Sequence, residues 1–225
     1  MSVHKDCADN LRARFRALTG LKLGSGHAHE IVAAYFGYGT GSALRLEGIY
    51  PLDELWRAEI LIPDLALMEQ RLFLLTDLPD ELPGADVLAD WIGESLQEAK
   101  HFTGAIWHTR DIADYIGSVF VHEHPHQIMD AMSSEMAVTN ALFLGFDIEE
   151  STISKYDEGM SATVNGRIEG ESDQDKPFYG DAIDFETILT FDLVAGRNAY
   201  GSPSWETTGE LDLSFYDDDR AEQAN

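Results

Sequence analysis

His122, His124 and His126 recur at every second position around Glu123 and Pro125. Three imidazoles so spaced can converge on one metal ion if the segment runs as a loop or strand, with His101 or His108 as a further ligand. The segment also falls between two expected helices, where a spacing of two scatters side chains, and His124 is placed to cap the helix that Pro125 opens. His27 and His29 with Glu30 do not form His-Glu-x-x-His, and a spacing of two puts them about 200° apart on a helix. The single cysteine, Cys7, cannot form an internal disulfide or a Cys-based zinc site. It lies in an expected frayed terminus with no organised base beside it. Gly37 to Gly41 reads GYGTG but follows no strand, so it is a turn between helices rather than a phosphate cradle. There is no Walker lysine and no Gly-x-Ser-x-Gly elbow. The segment Glu171 to Asp181 collects four carboxylates but fails the EF-hand spacing and includes Lys176, as a solvated hairpin loop would. No cofactor is expected.

Carboxylates make the second set. Asp184, Glu186 and Asp192 share one face of an expected strand, and Glu210 and Asp212 share one face of another. If the two strands pair, charges recur about 7 Å along a strand and about 5 Å across. Such rows crudely imitate a DNA duplex, which carries one phosphate charge per ~1.7 Å of axis. Like charges opposite one another destabilise a sheet, so the row calls for compensating cations or a function. The plain alternative is the wet face of an amphipathic sheet. A third set is N-terminal: Lys5, Arg12, Arg14, Arg16 and Lys22 can meet phosphates, and Tyr35, Phe36 and Tyr38 can meet a protein partner or a second copy, or simply pack the three helices together. The helices at the turn positions hold only Arg45, a poor inventory for reading bases.

The elements that must carry these groups follow from hydrophobic period. Leu11, Phe15 and Leu18 fall at helical spacing, with the three arginines on other faces and Gly20 as a stop. Ser25 is placed to cap a second helix to Phe36, Gly37 to end it, and Thr40 to cap a third through Leu46. Asp53 can start a helix through Leu55, Trp56 and Ile60, and Pro63 suits the first turn of another carrying Leu65, Met68, Leu72 and Leu75. Val87, Leu88, Trp91, Ile92 and Leu96 mark a helix. Ile112, Tyr115, Ile116, Val119 and Phe120 mark another, and Ile128, Met132, Met136 and Phe143 a third. The period then becomes two, in segments beginning at Ala162, Ile183 and Leu211 (to Phe215), with Ser151 to Tyr156 as a fourth strand. The expected fold is α+β: a helical N-terminal half with a helix-turn-helix-like start, then a C-terminal antiparallel sheet. The expected divisions are a three-helix module at 1–50, connecting helices at 51–76, a helical region at 86–146, the sheet at 151–216 and a disordered tail at 217–225.

Within residues 11–47, the stretch SGHAHEIVAAYFGYGTGSAL resembles the small N-terminal helical module of glyoxalase-related bacterial proteins and of uncharacterised mobile-element proteins. The matching residues are Ser25, Ala28, Glu30, Ala33, Gly37, Tyr38, Thr40, Ala43 and Leu44. The resemblance implies a helix-turn-helix-like shape and carries over no catalytic residue.

Charge is unevenly distributed along the 225 residues: 1–48 carry +2 and 49–225 carry −28, together the net −26. A body so acidic opposes nucleic acid and favours basic partners. A salt-adapted host would give the same composition, and the sequence leaves both readings open. The N-terminus lacks a signal-peptide run and no apolar stretch reaches the ~20 residues of a membrane span, which places the expected protein in the cytoplasm. Three functions remain. The first is a non-enzymatic, DNA-mimic-like inhibitor whose acidic body engages a basic protein surface. The second is a DNA-binding regulator that uses residues 5–45, and the third is a histidine-ligated metalloenzyme.

Overall fold

Val3, Cys7, Leu11 and Phe15 fall four residues apart, and all four are buried along one side of helix α1 (Val3–Thr19). The structure is a computed structural model that describes residues 2–172, 175 and 180–213. In chain order the remaining helices are α2 (Ser25–Tyr35), α3 (Gly41–Arg45), α4 (Leu65–Leu74), α5 (Ala85–Glu98), α6 (Ile112–Tyr115), α7 (Pro125–Ala131) and α8 (Ser133–Ala137). The strands are β1 (Ile60–Leu61), β2 (Ala105–Ile106), β3 (Ala141–Phe143), β4 (Asp147–Tyr156), β5 (Gly159–Ser172), β6 (Ala182–Ala195), β7 (Ala199–Tyr200) and β8 (Ser204–Leu211). A 3-10 turn spans Leu52–Arg57 and a π-helical turn spans Ile116–Phe120. Helices dominate the N-terminal half and strands the C-terminal half, so the fold is α+β. The chain divides into two units, Met1–Arg110 with Phe191–Ser202, and Asp111–Thr190 with Pro203–Asn225.

In the first unit α2 is buried all round from Ile31 onward: Ile31, Val32, Ala33, Ala34 and Tyr35, with Ala28 before them, are inaccessible, which makes it the central helix of a helical core. Its N-cap is Gly24 rather than the expected Ser25, which is the first helical residue and makes no side-chain capping bond. The other expected caps are present. Gly37 takes φ 82°, where a Cβ would also lie 2.9 Å from the Cβ of Arg197, and Thr40 Oγ1 accepts from the Ala43 N–H at 3.1 Å. Glu30 ties three helices together, accepting from the Gly41 N–H (3.1 Å) and from Arg71 (2.7 Å). Asp64, one residue after Pro63, is the N-cap of α4 and accepts from the Leu67 N–H at 2.9 Å.

Two further expectations fail here for physical reasons. The terminus is not frayed: Cys7 lies inside α1, buried, and burial pushes its thiol up to about 12, so it is inert. The helix expected from Asp53 through Ile60 is only the short 3-10 turn, because the backbone of Glu59 is claimed by the sheet. Its N–H donates to Tyr200 O and its O accepts from the Ala105 N–H, both at 2.8 Å. β1 pairs parallel with β2 and antiparallel with β7, and β7 pairs antiparallel with the last part of β6. Gly104 permits this approach, since a Cβ there would lie 2.2 Å from Glu59 O.

The second unit is an antiparallel sheet with short helices. β5 pairs with β4 along its first part and with β3 near its end, and β6 pairs with β8 from Ile183↔Leu211 to Thr190↔Ser204. Burial alternates along β6: Ile183, Phe185, Thr187 and Leu189 point inward, while Asp184, Glu186 and Ile188 point to water. The expected strand around Leu211 exists but ends there instead of starting; Ser214, Phe215 and the tail lie outside the described residues, as do 173, 174 and 176–179 of the expected loop.

The helix expected to run through Phe143 breaks at Met132, and Phe143 is in β3. There it sits in register opposite Gly170, its ring filling the space that a Cβ at Gly170 would occupy. The Phe185 ring does the same at Gly166, and Phe185 lies in register with Gly209.

A candidate binding face on the second unit

The outward face of β6 and β8 carries the predicted carboxylates, and register brings some of them together. Asp184 lies directly opposite Glu210, and Glu186 opposite Thr208. Side chains so paired stand about 4.5–5.5 Å apart at Cβ, so Asp184 and Glu210 repel. The compensation comes from Arg167 on β5. Its Nη1 donates to Asp184 Oδ1 at 2.6 Å and its Nη2 donates to Asp212, just beyond β8. These two bonds, that to Asp212 foremost, hold the guanidinium pKa above its ordinary value. Of the two alternatives that the row called for, a compensating cation is the one found at Asp184 and Asp212, which are partly neutralised. Asp192 falls in the other unit, where its carbonyl accepts from the Gly201 N–H at 3.0 Å.

What remains uncompensated centres on a residue that the sequence pattern does not single out. β4 has a bulge: Ile148 pairs with Gly166 and Glu150 with Asn165, leaving Glu149 as the extra residue off the ladder. Bulges re-aim side chains in this way. Glu149 lines a groove of about 450 Å³ with Asp184, Glu186 and Glu210, where Asn165 and Thr208 add polar groups and Gly166 and Gly209 leave room. It also lines a second groove of about 360 Å³ with Asp114, Asp147, Glu150, Ser118, Ser151 and His122. That groove is shaped by the π-helical turn, where Gly117 packs on Ser151 and the Ser151 hydroxyl donates to Ala113 O at 2.7 Å. Among the described residues no cation lies within ion-pair distance of Glu149, Glu150, Glu186 or Glu210. Glu149, Glu150, Asp147 and Asp114 thus line these grooves although strand period does not single them out. A run of acids ahead of an expected strand was the only signal.

The histidines do not converge. His122 stacks on Phe146 with centroids 5.1 Å apart, His124 Nδ1 donates to Phe120 O at 2.8 Å, and His126 pairs with Gln127. In the first unit His101 sits 3.0 Å from Asp6 and His108 3.2 Å from Asp90. Among the described residues no three His, Cys, Asp or Glu side chains are grouped to hold a metal ion.

The expected N-terminal contact surface is also corrected. Tyr35, Phe36 and Tyr38 are core residues at 0–1% exposure, because the helix they end is surrounded by other helices. The Tyr38 hydroxyl donates to Glu47 at 2.9 Å, and burial, aided by that carboxylate, raises its pKa. The arginines are at the surface. Arg14 pairs with Glu94 and lies 4.9 Å from the Trp91 ring centre, and Arg45 donates to Ser42 at 3.1 Å. Arg12 bonds Asp9 at 3.3 Å and Leu23 O at 3.2 Å, while Arg16 is exposed. Among the described residues no helix is long and apolar enough to cross a membrane.

No protein-family model, curated protein or solved structure matches this chain.

Proposed function

We propose that the chain is a non-enzymatic, cytoplasmic binding protein whose second unit presents an acidic face to a basic, normally nucleic-acid-binding surface of a partner protein. The observation that carries the reading is the bulge at Glu149. It places one carboxylate between two grooves, with Glu186 and Glu210 on one side and Asp147, Glu150 and Asp114 on the other. Carboxylates held on a paired sheet are spaced at fixed intervals, as phosphates are on a duplex, and they require no ordering when a partner's lysines and arginines arrive. The remainder of the charge steers the encounter at long range. Binding of this kind weakens steeply with salt.

The test is competition. An arginine-rich peptide of about 15 residues, labelled for anisotropy, should bind in low salt and be displaced by unlabelled duplex DNA competing for the peptide and by sodium chloride. A peptide that does not bind, or that binds with no dependence on salt or DNA, refutes the proposal.

A further inference from the structure

We infer that a cavity at the C-terminal end of α1 is an anion site that takes inorganic phosphate or a small phosphomonoester. The cavity measures about 400 Å³ and is lined by Asp9, Arg12, Ala13, Arg16, Lys22 and Leu23. Asp9, Arg12, Ala13 and Arg16 follow the spacing that puts side chains on one helix face. Lys22 arrives from the other direction. Gly20, at φ 77°, reverses the chain after α1, and Leu23, only 2% exposed, anchors the returning segment in the core. Arg12 is held in place by the carbonyl of Leu23 and by Asp9. This engages two of the five N–H donors that a guanidinium carries.

Charge and lining then select the ligand. Three cations against one carboxylate leave a local excess of two positive charges, in a chain with 41 Asp and Glu against 15 Lys and Arg. Among the described residues no carboxylate lies within ion-pair distance of Arg16 or Lys22. A phosphomonoester carries about −1.5 to −2 at pH 7, which matches that excess. No aromatic ring lines the cavity, so recognition is by charge and not by stacking on a base. The rest of the acidic chain does not forbid this, because charges more than about 8 Å away are largely screened at physiological salt. The partial negative charge at the helix C-terminus and the presence of Asp9 do oppose an anion, which sets the affinity in the millimolar range. The site belongs to the first unit and does not depend on the reading given to the acidic face.

The experiment is a ³¹P NMR titration of the full chain with inorganic phosphate and, separately, with glycerol phosphate. Saturable binding of either upholds the site, and the tighter of the two identifies the source of the phosphoryl group. Arg16→Ala and Lys22→Ala should each weaken binding at least fivefold without lowering the melting temperature measured in phosphate-free buffer. Asp9→Asn should tighten binding two- to threefold, and Arg57→Ala, at an arginine that does not line the cavity, should leave it unchanged. The inference is overturned if neither probe saturates. It is also overturned if Arg57→Ala weakens binding as much as Arg16→Ala, or if duplex DNA binds more tightly than either probe through the same residues.

Discussion

Replacing Arg167 by Ala separates the stability of the acidic face from its affinity. Arg167 is 29% exposed, and its partners Asp184 and Asp212 are 55% and 22% exposed, so both ion pairs are only partly shielded from water. Pairs of that kind contribute about 0.2–1 kcal/mol each, with the more enclosed Asp212 pair toward the upper end. Loss of the cation also leaves the facing Asp184 and Glu210 to repel each other, which adds a few tenths of a kcal/mol. The expected destabilisation is about 1–2 kcal/mol, read as a lower urea midpoint by circular dichroism. The same substitution makes the face one charge more negative, so the arginine-rich peptide should bind about fivefold more tightly, the equivalent of one further ion pair of about 1 kcal/mol. Unchanged stability would show that Arg167 does not compensate the row. Weaker peptide binding would show that the partner surface is not read by negative charge.

Three further outcomes test the fold. Gly104→Ala should cost about 3 kcal/mol or more in thermal unfolding, because its Cβ would lie 2.2 Å from the Glu59 carbonyl oxygen, whereas Gly48→Ala, with nothing within 4 Å, should stay within about 0.5 kcal/mol. Tyr35→Phe should raise stability by about 1 kcal/mol, since the buried hydroxyl has no partner among the described residues; destabilisation would disprove its placement. His4 is held below its ordinary value of 6.5 by burial, then by His29 and Arg45, against the weaker pull of Asp53 and Asp6. The unfolded chain therefore takes up this proton at higher pH than the folded chain. The stability linked to His4 is complete above about pH 6.5 and is lost as pH falls through the lower folded value. His4→Gln should flatten the decline in melting temperature between pH 7 and pH 5, and an unchanged slope would contradict the assignment.

Much of the local structure was legible because local rules decided it. Leu11 and Phe15 mark α1, Gly37 and Thr40 mark the turn after α2, and the alternation from Ile183 marks β6. The strands β1, β2 and β7 are two residues long, too short to show a period, and it is their pairing that overrides the helix expected through Ile60. For Tyr35, Phe36 and Tyr38 the sequence leaves a partner contact and helix packing both open, because a helix end buried on every side has no polar face to decide between them; burial decides for packing. At the acidic face, period two correctly placed Asp184, Glu186 and Glu210 toward water. It could not show the bulge that re-aims Glu149, nor that Arg167 reaches partners 17 and 45 residues away. Both are long-range facts of strand register.

The most direct measurement compares two triple variants of equal charge for binding to the arginine-rich peptide. Glu149→Gln, Glu186→Gln and Glu210→Gln together neutralise the groove, while Asp80→Asn, Glu81→Gln and Glu98→Gln neutralise three exposed acids of the first unit. The groove triple should lose at least tenfold in affinity and the other less than twofold. Equal losses would reduce the acidity to a property of composition and remove the binding face.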